Sequence, residues 1–182
     1  MKINLIQKTE NPLEILYTAC RTCYSAKESF ELFESDCEPQ GNEVDDKAYI
    51  SKKQNLVQKV LDSGHGSIAR HIYFTFCLDG ISRACANQLE RHTAGFAYSQ
   101  QSMRYVKFDF SELMEDKISI ERVKEVVNKY YVIPEKLKEN EAYINGLITS
   151  LFQYNNLIKT GINPEDARGV LGLNFKTNVV IS

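Results

Sequence analysis

The chain has 182 residues, the length of one domain with at most a modest appendage. Its 43% apolar composition and net charge of −2 are those of an ordinary folded protein, and they exclude disorder, collagen-like repeats and a disulfide-dense miniprotein. The near-zero charge gives no sign of a nucleic-acid or anionic-membrane partner.

The opening MKINLIQKTENP has too short an apolar stretch and no cleavage-like site for a signal peptide, and no run reaches the length of a membrane span. Five cysteines, Cys20, Cys23, Cys37, Cys77 and Cys85, are odd in number and sparse, which fits a reduced, soluble, cytoplasmic protein.

Residues 2–6 alternate like a short strand. The spacing then predicts a helix over 11–24, with Asn11 as N-cap and Pro12 in its first turn. Cys20 and Cys23 form a CxxC late in that apolar run. They read first as buried small hydrophobes, with redox or metal work as the alternative, since no second pair completes a zinc ribbon. Residues 26–46, with Gly41 and Asn42, read as a surface excursion. A second helix is expected over 45–63, with Ile50, Leu56, Val57, Val60 and Leu61 on one side and an end at Ser63-Gly64.

Residues 71–78 are β-branched and aromatic, a strand that Asp79-Gly80 should stop. A helix follows from Ser82 to about Arg91, with Ile81, Ala84, Cys85 and Leu89 spaced for burial. Residues 93–105 are irregular. Helical stretches come at 119–130 and 135–159, then a short helix opens at Asn163-Pro164-Glu165 and runs through Val170-Leu171. The apolar positions of 142–158 cover a face wide enough for more than one neighbour, another subunit among the candidates. Residues 174–181 return to strand character. The expectation is a mixed α/β (α+β) chain, one domain over 1–182, with a central sheet flanked by long helices.

The chemistry concentrates between His65 and Tyr105. His65, His71 and His92 lack zinc-helix spacing and an evident acidic third ligand, so no metal site is expected. Gln88 and Arg91 would share a helix face, although a cation there also suits a helix C-terminus. The segment from Thr93 to Tyr105 packs hydroxyls, amides, an arginine and aromatics into thirteen residues. Arginine and hydroxyls suit a phosphate, amides suit a pyrimidine edge and aromatic rings can stack on planar ligands. A nucleotide or flavin site and a polar surface strand both stay open on these residues alone.

Arg91-His92-Thr93 followed by Ser99-Gln100-Gln101-Ser102-Met103-Arg104-Tyr105 resembles the signature of the flavin-dependent thymidylate synthases, Arg-His-Arg and then Ser-x-Arg-Tyr. Three more blocks resemble that family in order: His65-Gly66-Ser67 through Phe74-Thr75-Phe76, Ser82-Arg83 through Gln88 and Arg91-His92, and Ala167-Arg168 through Leu173-Asn174.

The resemblance implies an enzyme that makes dTMP from dUMP, with methylenetetrahydrofolate giving the methylene, FAD carrying hydride and NADPH reducing the flavin. It also implies a homotetramer with shared active sites and no cysteine nucleophile. Carried over by position, Gln88, Arg91, Gln100, Gln101, Ser102, Arg104 and Arg168 fall on the dUMP site, with no catalytic residue assigned beyond Ser102 as a candidate within that substrate site. Ser67, Arg91, His92, Thr93 and Gln100 fall on the FAD site.

The chain departs from the pattern at several positions. Thr93 stands where the family has arginine, eight residues separate Thr93 from Ser102 where seven are usual, and Ala97 replaces a serine. Arg70 replaces a glutamate and Gly172 a proline. The family's further segment, Asn-x-Arg and a helix with another arginine and a histidine, would follow Ser182. These departures admit one alternative, a relative that oligomerises or binds nucleotide or flavin without turnover; the Arg/aromatic stretch admits another, a nucleic-acid-binding module, against which the near-neutral charge argues.

Overall fold

The computed structural model describes residues 1–37, 46–114 and 118–182. Its elements run β1 (Lys2–Lys8), α1 (Pro12–Thr22), α2 (Ser29–Cys37), α3 (Asp46–Asp62), a 3₁₀ turn Gly66–His71, β2 (Phe74–Ser82) and α4 (Arg83–Leu89). Then come β3 (Tyr98–Gln100), α5 (Ile120–Tyr130), α6 (Glu141–Lys159), α7 (Pro164–Ala167) and β4 (Lys176–Ile181). The expected mixture of helix and sheet is what forms, with four strands in the order β1-β2-β4-β3. The chain divides into two compact units, Leu5–Thr75 and Met1–Asn4 with Phe76–Ser182.

In the helical unit, α1 presents Tyr17 and Cys20 to Val57 and Val60 of α3 and to Ile68 of the 3₁₀ turn. Asn11 opens α1 with φ 46° and no side-chain cap bond, so Pro12 and backbone geometry start this helix rather than the expected side-chain cap. The inward face of α3 runs through positions 53, 57 and 60, which leaves Ile50 exposed and Lys53 2% exposed. The Lys53 ammonium lies 3.7 Å from Glu14 and 4.2 Å from the ring centre of Tyr49, an ion pair and a cation–π contact that offset its desolvation. Gly64, at φ 88°, ends α3 as expected.

The stretch 26–46 contains a helix that its polarity hid. In α2, among the described side chains, only Leu32 turns fully inward, while Phe30 and Phe33 stack on each other at the surface, centroids 6.5 Å apart. Gly41 and Asn42 lie outside the described residues. The CxxC splits. Cys20 is buried, as expected, but Cys23 is exposed. Burial first, and the neighbouring Cys23 second, push the Cys20 thiol up, which disfavours a thiolate.

In the sheet unit β4 pairs antiparallel with β2 on one side and β3 on the other. β2 does not stop at Asp79-Gly80. The register shifts between Asp79 and Ile81, Gly80 takes φ 71°, and its N–H donates to Asn178 Oδ1 at 3.0 Å. The bulge carries the strand on to Ser82. Of the expected strand 71–78, His71 closes the 3₁₀ turn and β2 begins only at Phe74.

Ser82 caps α4, its hydroxyl accepting from the Cys85 N–H at 3.1 Å. Ala86 and Ile81 are buried, whereas Cys85, expected inside, is exposed. The predicted helix 135–159 begins only at Glu141. Asn140 accepts from the Tyr143 N–H at 2.9 Å, and residues 135–137 form a separate 3₁₀ turn.

The main core of this unit gathers Phe110, Val126, Val127, Tyr131, Leu151, Tyr154 and Phe175, so α6 serves both α5 and α7, as the width of its apolar face requires. None of the described helices is long and apolar enough to cross a membrane.

Candidate functional site

Within the sheet unit, β3 is the short strand inside the segment expected to be irregular. Its edge pairing with β4 sets Tyr98 opposite Ile181 and Gln100 opposite Val179. The Tyr98 hydroxyl shares its one proton between the carbonyl oxygens of Leu89 at 2.7 Å and His92 at 2.9 Å, which ties the end of α4 to β3. Just past β3 the Gln101 N–H donates to the Asn178 carbonyl at 2.9 Å, and the Ser102 hydroxyl accepts from the Arg104 N–H at 3.3 Å. These bonds fix the backbone of the Gln100–Arg104 segment.

A ring of polar contacts surrounds that segment. Arg83, the first residue of α4, is half-buried and donates to the Gln101 carbonyl and to Gln100 Oε1, each at 3.4 Å. Arg104 pairs with Glu165 at 2.9 Å and lies beside the ring of Tyr105. One turn on from Glu165, Arg168 donates its Nε–H to the Glu165 carbonyl at 3.0 Å. Burial first, and the positive charge of Arg168 second, hold the Arg83 guanidinium below its ordinary range, with Glu90 acting weakly the other way.

Because arginine only donates, the Gln100 oxygen must face Arg83. Its Nε2 is left buried without a partner, a state that costs about 1–3 kcal/mol.

Gln100, Gln101, Ser102, Arg104 and Arg168 are thus brought together. Gln88, Arg91, His92 and Thr93 lie at the end of α4 and in the turn after it. They are exposed, and among the described residues the side chains of Gln88, Arg91 and Thr93 make no hydrogen bond or ion pair. Phe96 is also exposed and stacks on Tyr98 at 6.2 Å.

Ser67 belongs to the helical unit. It lines a cavity of about 620 Å³ with Ile15, Ala19, Phe30, Phe33 and His71 among its walls. Among the described residues no three His, Cys, Asp or Glu side chains come together as a metal site requires.

Sequence reasoning gave no site role to Arg83, although Ser82-Arg83 opens one of the resembling blocks, and none to Glu165. Arg83 carried one signal, a cation in the first turn of a helix, where the macrodipole disfavours it.

A family model for the thymidylate synthase complementing protein matches residues 4–182. The chain belongs to the thymidylate synthase complementing protein family. Relatives include the flavin-dependent thymidylate synthases of Pyrococcus furiosus, 30% identical over 186 residues, and Pyrococcus horikoshii, 33% identical over 186 residues. Each alignment covers all of this chain and 65% of the relative. The chain therefore spans just under two thirds of the length of these curated relatives.

Among solved structures, thymidylate synthase X from Helicobacter pylori, crystallised with FAD and dUMP, matches with a TM-score of 0.69 and 23% identity, covering 100% of this chain and 77% of that one. A UMP/dUMP methylase from Streptomyces cacaoi, bound to 5-Br dUMP, matches with a TM-score of 0.64 and 17% identity, covering 99% and 71%. Both show that this member of the thymidylate synthase complementing protein family has the fold of those proteins.

Proposed function

We propose that the protein is a flavin-dependent thymidylate synthase that converts dUMP to dTMP, with methylenetetrahydrofolate and NADPH as co-substrates and FAD as cofactor. The observation that carries this reading is the ring of polar contacts that gathers Arg168 with the Gln100, Gln101, Ser102 and Arg104 segment, in a family whose relatives include flavin-dependent thymidylate synthases and whose Helicobacter pylori neighbour was crystallised with FAD and dUMP.

The arginines neutralise the nucleotide phosphate, and the amides of Gln88, Gln100 and Gln101 orient the uracil ring. Arg91 closes on the nucleotide from the end of α4, and Ser102 supplies a hydroxyl to the substrate. Ser67, Arg91, His92, Thr93 and Gln100 are assigned to FAD. The cavity beside Ser67, walled by Phe30 and Phe33, is apolar enough for part of a planar ring system, which suits Ser67 to its assigned place beside the cofactor. When bound, FAD supplies the hydride chemistry; the protein supplies binding and electrostatics. A homotetramer with shared active sites, in the cytoplasm, completes the reading as one domain spanning 1–182.

The test is dUMP binding by equilibrium dialysis together with flavin absorbance of the purified protein or of protein given FAD. Uptake of both ligands is expected. A protein that takes neither overturns the reading.

A second reading, a relative that binds without turnover, is favoured by Thr93 in place of arginine and by Arg70 in place of glutamate. Both ligands would then bind, but NADPH and methylenetetrahydrofolate would yield no dTMP.

A further inference from the structure

We infer that Arg83 is a phosphate-binding residue that works with Arg168 as a two-arginine clamp on the phosphate monoester of the nucleotide. This rests on the nucleotide reading above and adds to it a residue that the sequence motifs did not assign.

Donor satisfaction is the first argument. A guanidinium has five N–H donors, and among the described residues those of Arg83 meet two oxygens, both at 3.4 Å, well beyond the usual 2.7–3.2 Å range for such bonds. Arg168 uses its Nε–H on the Glu165 carbonyl. Among the described residues no carboxylate pairs with either group. Half-buried guanidiniums left this way are incompletely compensated for lost water.

Charge is the second argument. Among the described residues around the Gln100–Arg104 segment, Arg104 is ion-paired with Glu165, whereas Arg83 and Arg168 have no ion-paired carboxylate, which leaves two guanidinium charges without an ion-pair partner. Glu90 reaches Arg83 electrostatically, but more weakly than Arg168 does. A phosphate monoester carries about −1.5 to −2 at neutral pH, which matches this excess.

The third argument is placement. The Arg83 backbone N–H donates to the Phe175 carbonyl at 3.0 Å and that of Ala84 to the Leu173 carbonyl at 2.9 Å. Arg83 therefore stands on a backbone fixed to the segment that joins Arg168 to β4. The weakly held partner is Gln100, whose oxygen occupies an Arg83 donor at long range and whose Nε2 is orphaned. An anion oxygen would replace that long contact and release the amide to find a better partner.

The experiment measures the affinity of the wild-type protein, Arg83→Met and Arg83→Lys for dUMP and for its methyl phosphodiester, which has the same base and sugar but one negative charge. Circular dichroism checks folding. Wild type should prefer dUMP. Arg83→Met should weaken dUMP roughly 10- to 100-fold, weaken the diester much less, and so collapse the preference. Arg83→Lys, which keeps the charge without the fork, should retain part of it.

A folded Arg83→Met that loses both ligands equally, or neither, overturns the role of Arg83 and leaves the nucleotide reading standing. If Arg83→Met does not fold, an unchanged preference in Arg83→Lys overturns it. A wild-type protein that takes no dUMP overturns the nucleotide reading and the clamp with it.

Discussion

Replacing Phe175 with alanine should remove the centre of the sheet unit's core. The ring is 1% exposed. It meets Phe108 edge-on at 4.9 Å and Tyr131 at 5.4 Å, and lies parallel to Tyr130 at 6.1 Å. Burying a phenylalanine contributes up to about 3 kcal/mol, and each edge-to-face pair about 0.5–1.5 kcal/mol more. Since neighbours relax partly into the void, the expected cost is about 4 kcal/mol, inside the usual range for such truncations. That is a large share of a typical total stability of about 5–15 kcal/mol. Phe175→Leu, which keeps most of the volume and loses the ring contacts, should cost about 1–2 kcal/mol. Urea titrations followed by circular dichroism measure both, and the melting temperature of the alanine variant should drop by about 8–16 °C. An alanine variant within about 1 kcal/mol of wild type would refute the placement of the core.

Glu165→Gln should free Arg104 and remove a negative charge from the ring. The pair is about half exposed on both sides, so stability should move by less than about 1 kcal/mol, while dUMP affinity at low salt rises roughly threefold or more; equilibrium dialysis reads it, and weaker binding would contradict it. Alkaline pH should destabilise the protein. Burial raises the Tyr17, Tyr131 and Tyr154 phenols and the Cys20 thiol above their ordinary 10.0 and 9.0. Stability from these groups is complete below those values and is lost as pH climbs through the raised ones, because the unfolded chain gives up its protons first. Half-buried Lys176, lowered from 10.5, and Arg83, lowered from 12.5, oppose this just below their ordinary values, but two bases stand against four acids. The urea midpoint should therefore fall from about pH 8.5 upward, and a flat profile to pH 10.5 would contradict it. Gly80→Ala should cost about 1–2 kcal/mol through its φ of 71° alone, since an added Cβ meets the Lys176 side chain only at 3.8 Å; an unchanged urea midpoint would argue against the bulge.

The sequence made the long helices legible where their apolar period was also their burial period, as at Val57 and Val60 or at Leu147 and Leu151. It misled where the two parted. A buried lysine took the place expected of Ile50, and among the described side chains of α2 a single inward anchor, Leu32, sits between two surface phenylalanines. The polar run 135–140 contains no proline to break a helix, yet Asn140 serves better as a cap than as an interior residue. β2 outran its expected stop because the Asn178 side chain, 98 positions away, receives the Gly80 N–H.

The site divides in the same manner. Gln100 through Arg104 were legible as a motif, and the structure adds the ring that holds them. Arg83 and Glu165 were not legible, because their roles come from contacts across 17 and 61 positions, which local spacing does not encode. The assignment of Ser67, His92 and Thr93 to FAD rests on the family pattern and the cavity beside Ser67, and dialysis with FAD tests it.

The most direct test of the central claim uses dUMP tritiated at the ring carbon that receives the methyl group. Incubated with this protein, FAD, NADPH and methylenetetrahydrofolate, it should release tritium to water and yield dTMP, and omitting FAD should abolish both. Protein that binds dUMP and FAD yet releases no tritium would contradict the assignment as a synthase.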